Sequence, residues 1–436
     1  MQLYSIIGLS IAAIFSSIRM SSAYCDLDIV ESMPDGLKLK DPDGTNIIRT
    51  HQSLLEMIER ANKTLRIASF YLYLTPPKDL DGNPAALPGR MILDAITSAV
   101  KRGVDLQVVL DRSGRHDINN QDDVKLLESI GSVRFVNMTK LLHSGVMHTK
   151  FLIADNQTFY LGSSNFDWRS YSEIKEMGVS LKNCPEMAQD LDKVFRTYVL
   201  VSNASTIPRQ LSDDLKTTIN MQNPLVLTLN HSTPSSVFLG ASPPPFNGEK
   251  DWSGRTDDID GLLHLIDSAR HRVSISVMNY SPRMEFVWPK VYWPRIDNAL
   301  RKAATTRGVK VELLFSNWTS TRSSEIAWYK SLNAIQSSDF HGGGIHVKLF
   351  KVPAFDDYQK RIPFARVKHD KYLVTDTGVY LGTSNWTPDY FINTAGVSMV
   401  IRPTNSHKQD EIPSVLRSFQ AIFDRDFNSE YAHELN

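Results

Sequence analysis

The chain repeats itself, and that repeat limits what it can fold into. His148-Thr-Lys150-Phe-Leu-Ile-Ala-Asp155 returns about half the chain later as His369-Asp-Lys371-Tyr-Leu-Val-Thr-Asp376. Each copy runs into a glycine turn, Tyr160-Leu-Gly162-Ser-Ser-Asn165 and Tyr380-Leu-Gly382-Thr-Ser-Asn385. Upstream, Arg102-Gly-Val-Asp-Leu-Gln-Val-Val-Leu110 matches Arg307-Gly-Val-Lys-Val-Glu-Leu-Leu-Phe315. Earlier still lie the apolar strands Leu65 to Tyr71 and Val273 to Tyr280. Each follows a helical pattern, Leu54, Leu55, Met57 and Ile58 or Leu262, Leu263, Leu265 and Ile266. Such a duplication predicts an α/β protein of two pseudo-symmetric α/β/α sandwich halves, helices outside a mixed sheet, with one shared active site at their interface.

The length of 436 residues fits two domains. We place the first half at 24–205 and the second at 206–436. The join falls near 205–245, where Pro208, Pro224, Pro234 and Pro243 to Pro245 interrupt regular structure. The polar stretch 318–344, ending in Gly342-Gly-Gly344, predicts a mobile loop. Lys and Arg total 48 against 48 Asp and Glu, which excludes a polycationic wrapper of nucleic acid and leaves room only for a local basic site.

Leu3 to Ile18 is uncharged and mostly apolar, shorter than a membrane-spanning helix requires, and is followed by Ser21-Ser22-Ala23. A secretory signal covering 1–23, cut after Ala23, is the expectation; an uncleaved anchor is the alternative, because the n-region carries only the terminal amine. A secretory-pathway protein, in the lysosome lumen or outside the cell, follows. Asn-x-Ser/Thr sequons at Asn62, Asn137, Asn203, Asn230 and Asn317 suit glycosylation there. Asn156 also begins a sequon, and the one at Asn385 lies inside the repeated motif, where we expect burial without modification. The two cysteines, Cys25 and Cys184, are expected to form a disulfide in an oxidising compartment; two lone thiols are the cytosolic alternative.

On a strand, residues two apart share a face, so each His-x-Lys presents an imidazole and an ammonium together. Two units facing across a pseudo-twofold axis would gather two imidazoles, two ammoniums and the carboxamides of Asn165 and Asn385. That set suits a pentacoordinate phosphorus centre: Lys150, Lys371 and the amides donate to its oxygens. One histidine attacks phosphorus while the other protonates the leaving oxygen and later activates water. Ser163 and Thr383 offer hydroxyls beside the amides. Glu176 aligns with Thr394, so only one half carries a carboxylate able to make one imidazole more nucleophilic; on that ground we favour His148 as nucleophile and His369 as general acid. The scheme needs no metal and no cofactor, and no zinc-type spacing is present.

These residues resemble the phospholipase D superfamily, whose signature is His-x-Lys-x4-Asp followed by Gly-[Ser/Thr]-x-Asn. The resemblance covers essentially the whole mature chain. It is closest to the animal endolysosomal branch through Val30-Glu-Ser-Met-Pro-Asp-Gly36, Tyr160 to Ser170, Val277-Met-Asn-Tyr280, Arg361-Ile-Pro-Phe-Ala-Arg366 and Gly382-Thr-Ser-Asn-Trp386. It implies a 5′-to-3′ exonuclease on single-stranded DNA or RNA, with Asp155 and Asp376 as supporting rather than acid–base residues. That branch usually carries a membrane anchor and more cysteines than this chain.

Single-stranded nucleic acid needs aromatic rings to stack on, and Tyr280, Trp318 and Trp386 are the first candidates, with Trp168 and Tyr390 behind them. A phospholipid substrate, hydrolysed or transferred to an alcohol, is the rival reading; it would call for an apolar rim or an amphipathic helix. A secreted phosphate-binding protein without turnover is the third. Self-association into a homodimer is left open.

Overall fold

The computed structural model describes residues 24–80, 82–112, 119–230, 234–247, 253–335, 342–404 and 414–435. The expected signal segment 1–23 lies outside them. The first half contains strands β1 (Tyr24–Ser32), β2 (Ile47–Arg49), β3 (Thr64–Ser69), β4 (Leu72–Tyr73), β5 (Asp105–Asp111), β6 (Ser132–Val136), β7 (Lys150–Ala154), β8 (Thr158–Gly162), β9 (Phe166–Asp167) and β10 (Glu176–Lys182). The second contains β11 (Leu225–Leu229), β12 (Pro234–Ser242), β13 (Thr256–Asp257), β14 (Arg272–Val277), β15 (Lys310–Ser316), β16 (Gly344–Phe350), β17 (Lys371–Thr375), β18 (Val379–Gly382), β19 (Gly396–Pro403) and β20 (Ala432–Glu434).

The pairing repeats strand for strand. The first sheet runs β6-β5-β3-β7-β8-β10-β1-β2. The second runs β16-β15-β14-β17-β18-β19-β12-β13. In both, three parallel strands meet antiparallel ones at the strand that follows the histidine. β11 pairs with β12 and also, in parallel, with β1, so the halves share one continuous sheet.

Strand periodicity divides the core. Along β7, Phe151 and Ile153 enter a central cluster, while Leu152 and Ala154 pack on the opposite side against Leu54, Met57, Ile92 and Ile96. Along β17, Tyr372 and Val374 join the same central cluster, and Leu373 faces Leu262, Leu265 and Leu300. Helices Pro185–Ser202 and Ser414–Phe427 bring Phe195, Phe419 and Phe423 into that shared cluster. Each fully buried large apolar side chain contributes roughly 1.5–3 kcal/mol, so the centre welds the two halves. Local signals set the helix ends: Pro185 opens its helix, and Gly308, in the left-handed region, closes Arg295–Arg307.

The Cys25–Cys184 disulfide is present, joining β1 to the start of helix Pro185–Ser202. The stretch 318–344 departs from expectation: it carries helix Ser323–Asn333, whose Tyr329 and Leu332 sit in the second core. Its apolar stripe is narrow and its exposed face polar, which disguised it as a loop. Among the described residues, no helix is long and apolar enough to cross a membrane. Asn62, Asn203 and Asn230 are exposed, Asn137 and Asn317 half-buried, and Asn385 buried. Asn230 already spends its amide on both main-chain atoms of Leu27, a pair that a glycan would break.

Candidate active site

The two histidine segments meet where the halves touch. Met147 bridges Ala395, and Lys175 bridges Lys368, so each half lends a main-chain rung to the other. Gly145 makes the first crossing possible: its φ is +84°, and a Cβ there would lie 1.9 Å from the Asn393 carbonyl oxygen.

His148 and His369 face one another with ring centres 6.5 Å apart, both buried. The His148 Nδ1 lies 2.9 Å from the main-chain carbonyl of Thr383. A carbonyl only accepts, so Nδ1 carries the proton and Nε2 is left with its lone pair. The His369 Nδ1 lies 2.8 Å from a carboxylate oxygen of Glu176. Glu176 thus reaches across the pseudo-twofold axis. This corrects the expectation that the carboxylate would activate His148: it supports His369 instead. Ser163 and Ser170 donate to the two oxygens of Glu176, at 2.6 and 3.0 Å, and lock it.

Lys150 and Lys371 are fully buried, and each ammonium donates to the carbonyl of its own motif histidine at 2.6 Å. Asn165 reaches the Tyr71 hydroxyl at 3.4 Å, and Asn385 reaches the Tyr390 hydroxyl at 3.0 Å. Phe70 and Tyr390 wall His148, with ring centres 5.0 and 4.9 Å away. The cradle therefore holds two lysines and two imidazoles against one carboxylate. Burial, reinforced by Lys150 and Lys371, pushes the His148 imidazole well below its ordinary value. Burial lowers His369 too, but Glu176 opposes it. Burial drives Lys150 well down, with Lys371 adding to the effect, and pushes Lys371 down to about 7. That balance of charge suits an anion between them.

The remaining expected residues fall elsewhere. The Asp155 carboxylate accepts from the amides of Asn62, Lys63 and Thr64, and Asp376 from those of Arg270, His271 and Arg272. Both fasten the far end of a histidine strand to the chain entering its neighbour. Thr383 contributes its carbonyl to His148, while its hydroxyl accepts from Val397. Tyr280 and Trp386 are each 1% exposed and offer no stacking face: Tyr280 donates to Asp297 and stacks on Phe315, and Trp386 packs on Tyr380. Trp168 is equally buried; Trp318 is half-buried and lines a separate pocket.

Phe70, Tyr71, Ser170 and a charge cluster behind His369 were not anticipated. In that cluster Lys175 pairs with Glu31 at 2.7 Å and Asp426 at 2.8 Å, Lys368 with Asp370, and Arg425 with Asp426 and Glu31. Within the cluster only Glu31 gave a signal, as a carboxylate following the apolar Ile29-Val30 of strand β1; the others lie in a helix or beside strand ends. Among the described residues, no group of three or more His, Cys, Asp or Glu is placed to hold a metal ion.

A doubled His-x-Lys cradle between two matching α/β halves defines a class, and the chain belongs to it: the family model described as "PLD3/4, PLD-like domain" matches residues 44–354. The chain is 42% identical to a Xenopus laevis protein named 5′-3′ exonuclease PLD3, across 94% of this chain and 81% of that one. The Homo sapiens protein of that name is 40% identical with the same coverage. A Caenorhabditis elegans protein named probable phospholipase D is 36% identical, covering 95% and 71%. The fold is shared with a phosphatidylserine synthase of Haemophilus influenzae, at a TM-score of 0.57, 13% identity and coverage of 88% and 85%.

Proposed function

We propose that this protein is a phosphodiesterase that removes nucleotides from the 5′ end of single-stranded nucleic acid, through a phosphohistidine, in an acidic lumen of the secretory pathway. The carrying observation is the unequal pair of imidazoles: one on a neutral carbonyl, one on a carboxylate, with two lysines beside them that each donate to a main-chain carbonyl. The relatives named 5′-3′ exonuclease support the polarity and the substrate.

The roles follow from the partners. A carbonyl does little to stabilise an imidazolium, so His148 stays neutral and its Nε2 attacks phosphorus. A carboxylate stabilises the cation, so His369 starts protonated and gives its Nε2 proton to the leaving oxygen as the phosphorus–oxygen bond breaks. His148 thus keeps the nucleophile's role for the reverse of the first reason. Lys150, Lys371, Asn165 and Asn385 donate to the non-bridging oxygens, whose charge grows in the transition state. Neutral His369 then takes a proton from water, hydroxide displaces His148, and the phosphate leaves.

The test uses residues 24 onward with EDTA and a 3′-labelled single-stranded oligonucleotide, beside a 5′-phosphorylated copy and a fluorescent phospholipid. Progressive shortening from the 5′ end, abolished by His148→Ala and His369→Ala, is the expected result. Turnover of the lipid alone would transfer the protein to the phospholipase reading. Binding without turnover of either would leave a phosphate-binding protein.

A further inference from the structure

A pocket of about 540 Å³ opens between the ends of β15 and β16, the end of the short helix Asp357–Arg361 and the 362–366 loop after it. Sheet register fixes its place. Lys371 lies opposite Val277, which pairs with Phe315, which pairs with Leu349, so all four strands are level at this point. Continuing past that level leads to His369 on one strand and to Asn317 and Lys351 on the others. The pocket therefore sits on the same edge of the sheet as the histidines, two to three strands along, or roughly 10–14 Å at one strand spacing each. That edge is where the parallel strands present their carboxyl ends, the usual place for ligands in α/β sheets.

Its lining is unlike the rest of a charge-balanced molecule. Lys351, Lys360, Arg361 and Arg366 line it, and among the described residues no carboxylate does. Arg366 is spent on Glu173 and Lys360 meets Asp357 at 2.9 Å, so Lys351 and Arg361 are the exposed cations offered to a phosphate. Trp318 and Phe364 supply rings, and Phe364 is 69% exposed while held at a φ of 58°. A bulky residue rarely adopts that conformation, and an exposed ring gains nothing from folding there. The loop is braced from the first half: Arg169 donates to the Pro363 carbonyl at 2.8 Å, and Arg366 pairs with Glu173 at 3.0 Å. Cations for phosphates interleaved with rings for bases are the elements of a single-strand track.

We propose that this pocket binds the single-stranded nucleic acid beyond the scissile bond, steering the rest of the strand away from the histidines; this rests on the exonuclease reading above. It makes the enzyme's affinity depend on strand length, whereas the cradle alone would see only the first phosphodiester.

Lys351→Gln/Arg361→Gln and Phe364→Ser, all at exposed positions, test this with a long single-stranded oligonucleotide and a dinucleotide as paired substrates. The expected result is a KM raised by about tenfold on the long strand, with dinucleotide hydrolysis unchanged. The logarithmic salt dependence should flatten by about 0.7 for each phosphate that the variant no longer neutralises. Equal effects on both substrates, or none on either, would overturn the pocket's role while leaving the exonuclease reading intact. If the unaltered protein cleaves lipid and no oligonucleotide, both fall together.

Discussion

Glu176 of the first half accepts a hydrogen bond from His369 of the second at 2.8 Å, while the His148 ring donates to the Thr383 carbonyl. A duplicated protein has thus become chemically asymmetric through one carboxylate that crosses its pseudo-twofold axis. Replacing it by an amide removes the charge that keeps His369 cationic. Burial already lowers that imidazole, so Glu176→Gln should lower it further. The general acid must be protonated, and activity falls as pH rises through its pKa. The alkaline limb of kcat/KM should therefore move to lower pH, with turnover reduced by about 10²-fold or more. A pH–rate profile reads this directly, and an unmoved limb would remove Glu176 from the mechanism.

Trapping separates the two histidines. His369→Ala lacks the acid but keeps the nucleophile, so a substrate with a good leaving group, such as a p-nitrophenyl phosphodiester, should still phosphorylate His148. Turnover should fall by about 10²–10⁴-fold in either histidine variant, but only His369→Ala should accumulate a label stable to alkali and labile to acid. Label on His369 in His148→Ala would reverse the assignment.

The unaltered enzyme should show a bell-shaped kcat/KM with its maximum below neutrality. Both imidazoles are lowered from their ordinary value, the unsupported His148 most. His148 must be neutral and His369 protonated, so the working window lies between the two and on the acid side of about pH 6.5. A maximum on the alkaline side would contradict the role of His369 as acid.

The cradle was legible because its residues are local and doubled: His148, Lys150 and Asn165 recur as His369, Lys371 and Asn385 at matching spacings. The repeat also announces the two sheets. The partner of Glu176 was not legible, since which imidazole a carboxylate meets depends on how two halves dock. Tyr280 and Trp386 misled for a different reason. An aromatic residue beside a motif serves core and ligand equally well, and Asp297, the partner that settles Tyr280 in the core, lies on a separate helix. Lys175, Lys368 and Asp370 look like surface charges until packing encloses them.

That enclosed cluster makes a stability prediction suited to an acidic compartment. Burial alone would raise Glu31, Asp370 and Asp426, but Lys175, with Arg425 or Lys368, outweighs it and holds all three below the usual carboxylate range. A depressed carboxylate stabilises the fold fully above its unfolded value of about 4 and loses that contribution as pH falls through the folded value. The cluster's own contribution is read by denaturant as the difference in unfolding free energy between the parent and Lys368→Met, since the lowered imidazoles act on both proteins alike. That difference should be similar at about pH 7 and pH 5 and shrink steeply below about pH 4. Lys368→Met, which strips Asp370 of a partner, should cost about 3–5 kcal/mol. A difference between the two proteins that already shrinks steeply between neutrality and about pH 5 would mean the cluster is not charged as described.

The disulfide closes a separation of 159 residues between Cys25 and Cys184, long enough for a large effect on the unfolded chain. Cross-linking so distant a pair limits the unfolded ensemble, and removing it typically costs about 2–5 kcal/mol. Cys25 also pairs with Leu229 where β1 meets β11, so the same bond anchors the strand that joins the two sheets. Cys25→Ser/Cys184→Ser should therefore lower the thermal midpoint by several degrees and, below it, leave kcat nearly unchanged, because neither cysteine touches the cradle. Calorimetry with and without reductant checks the first part and the oligonucleotide assay the second. A variant equally stable but inactive would show that the bond acts on the active site itself.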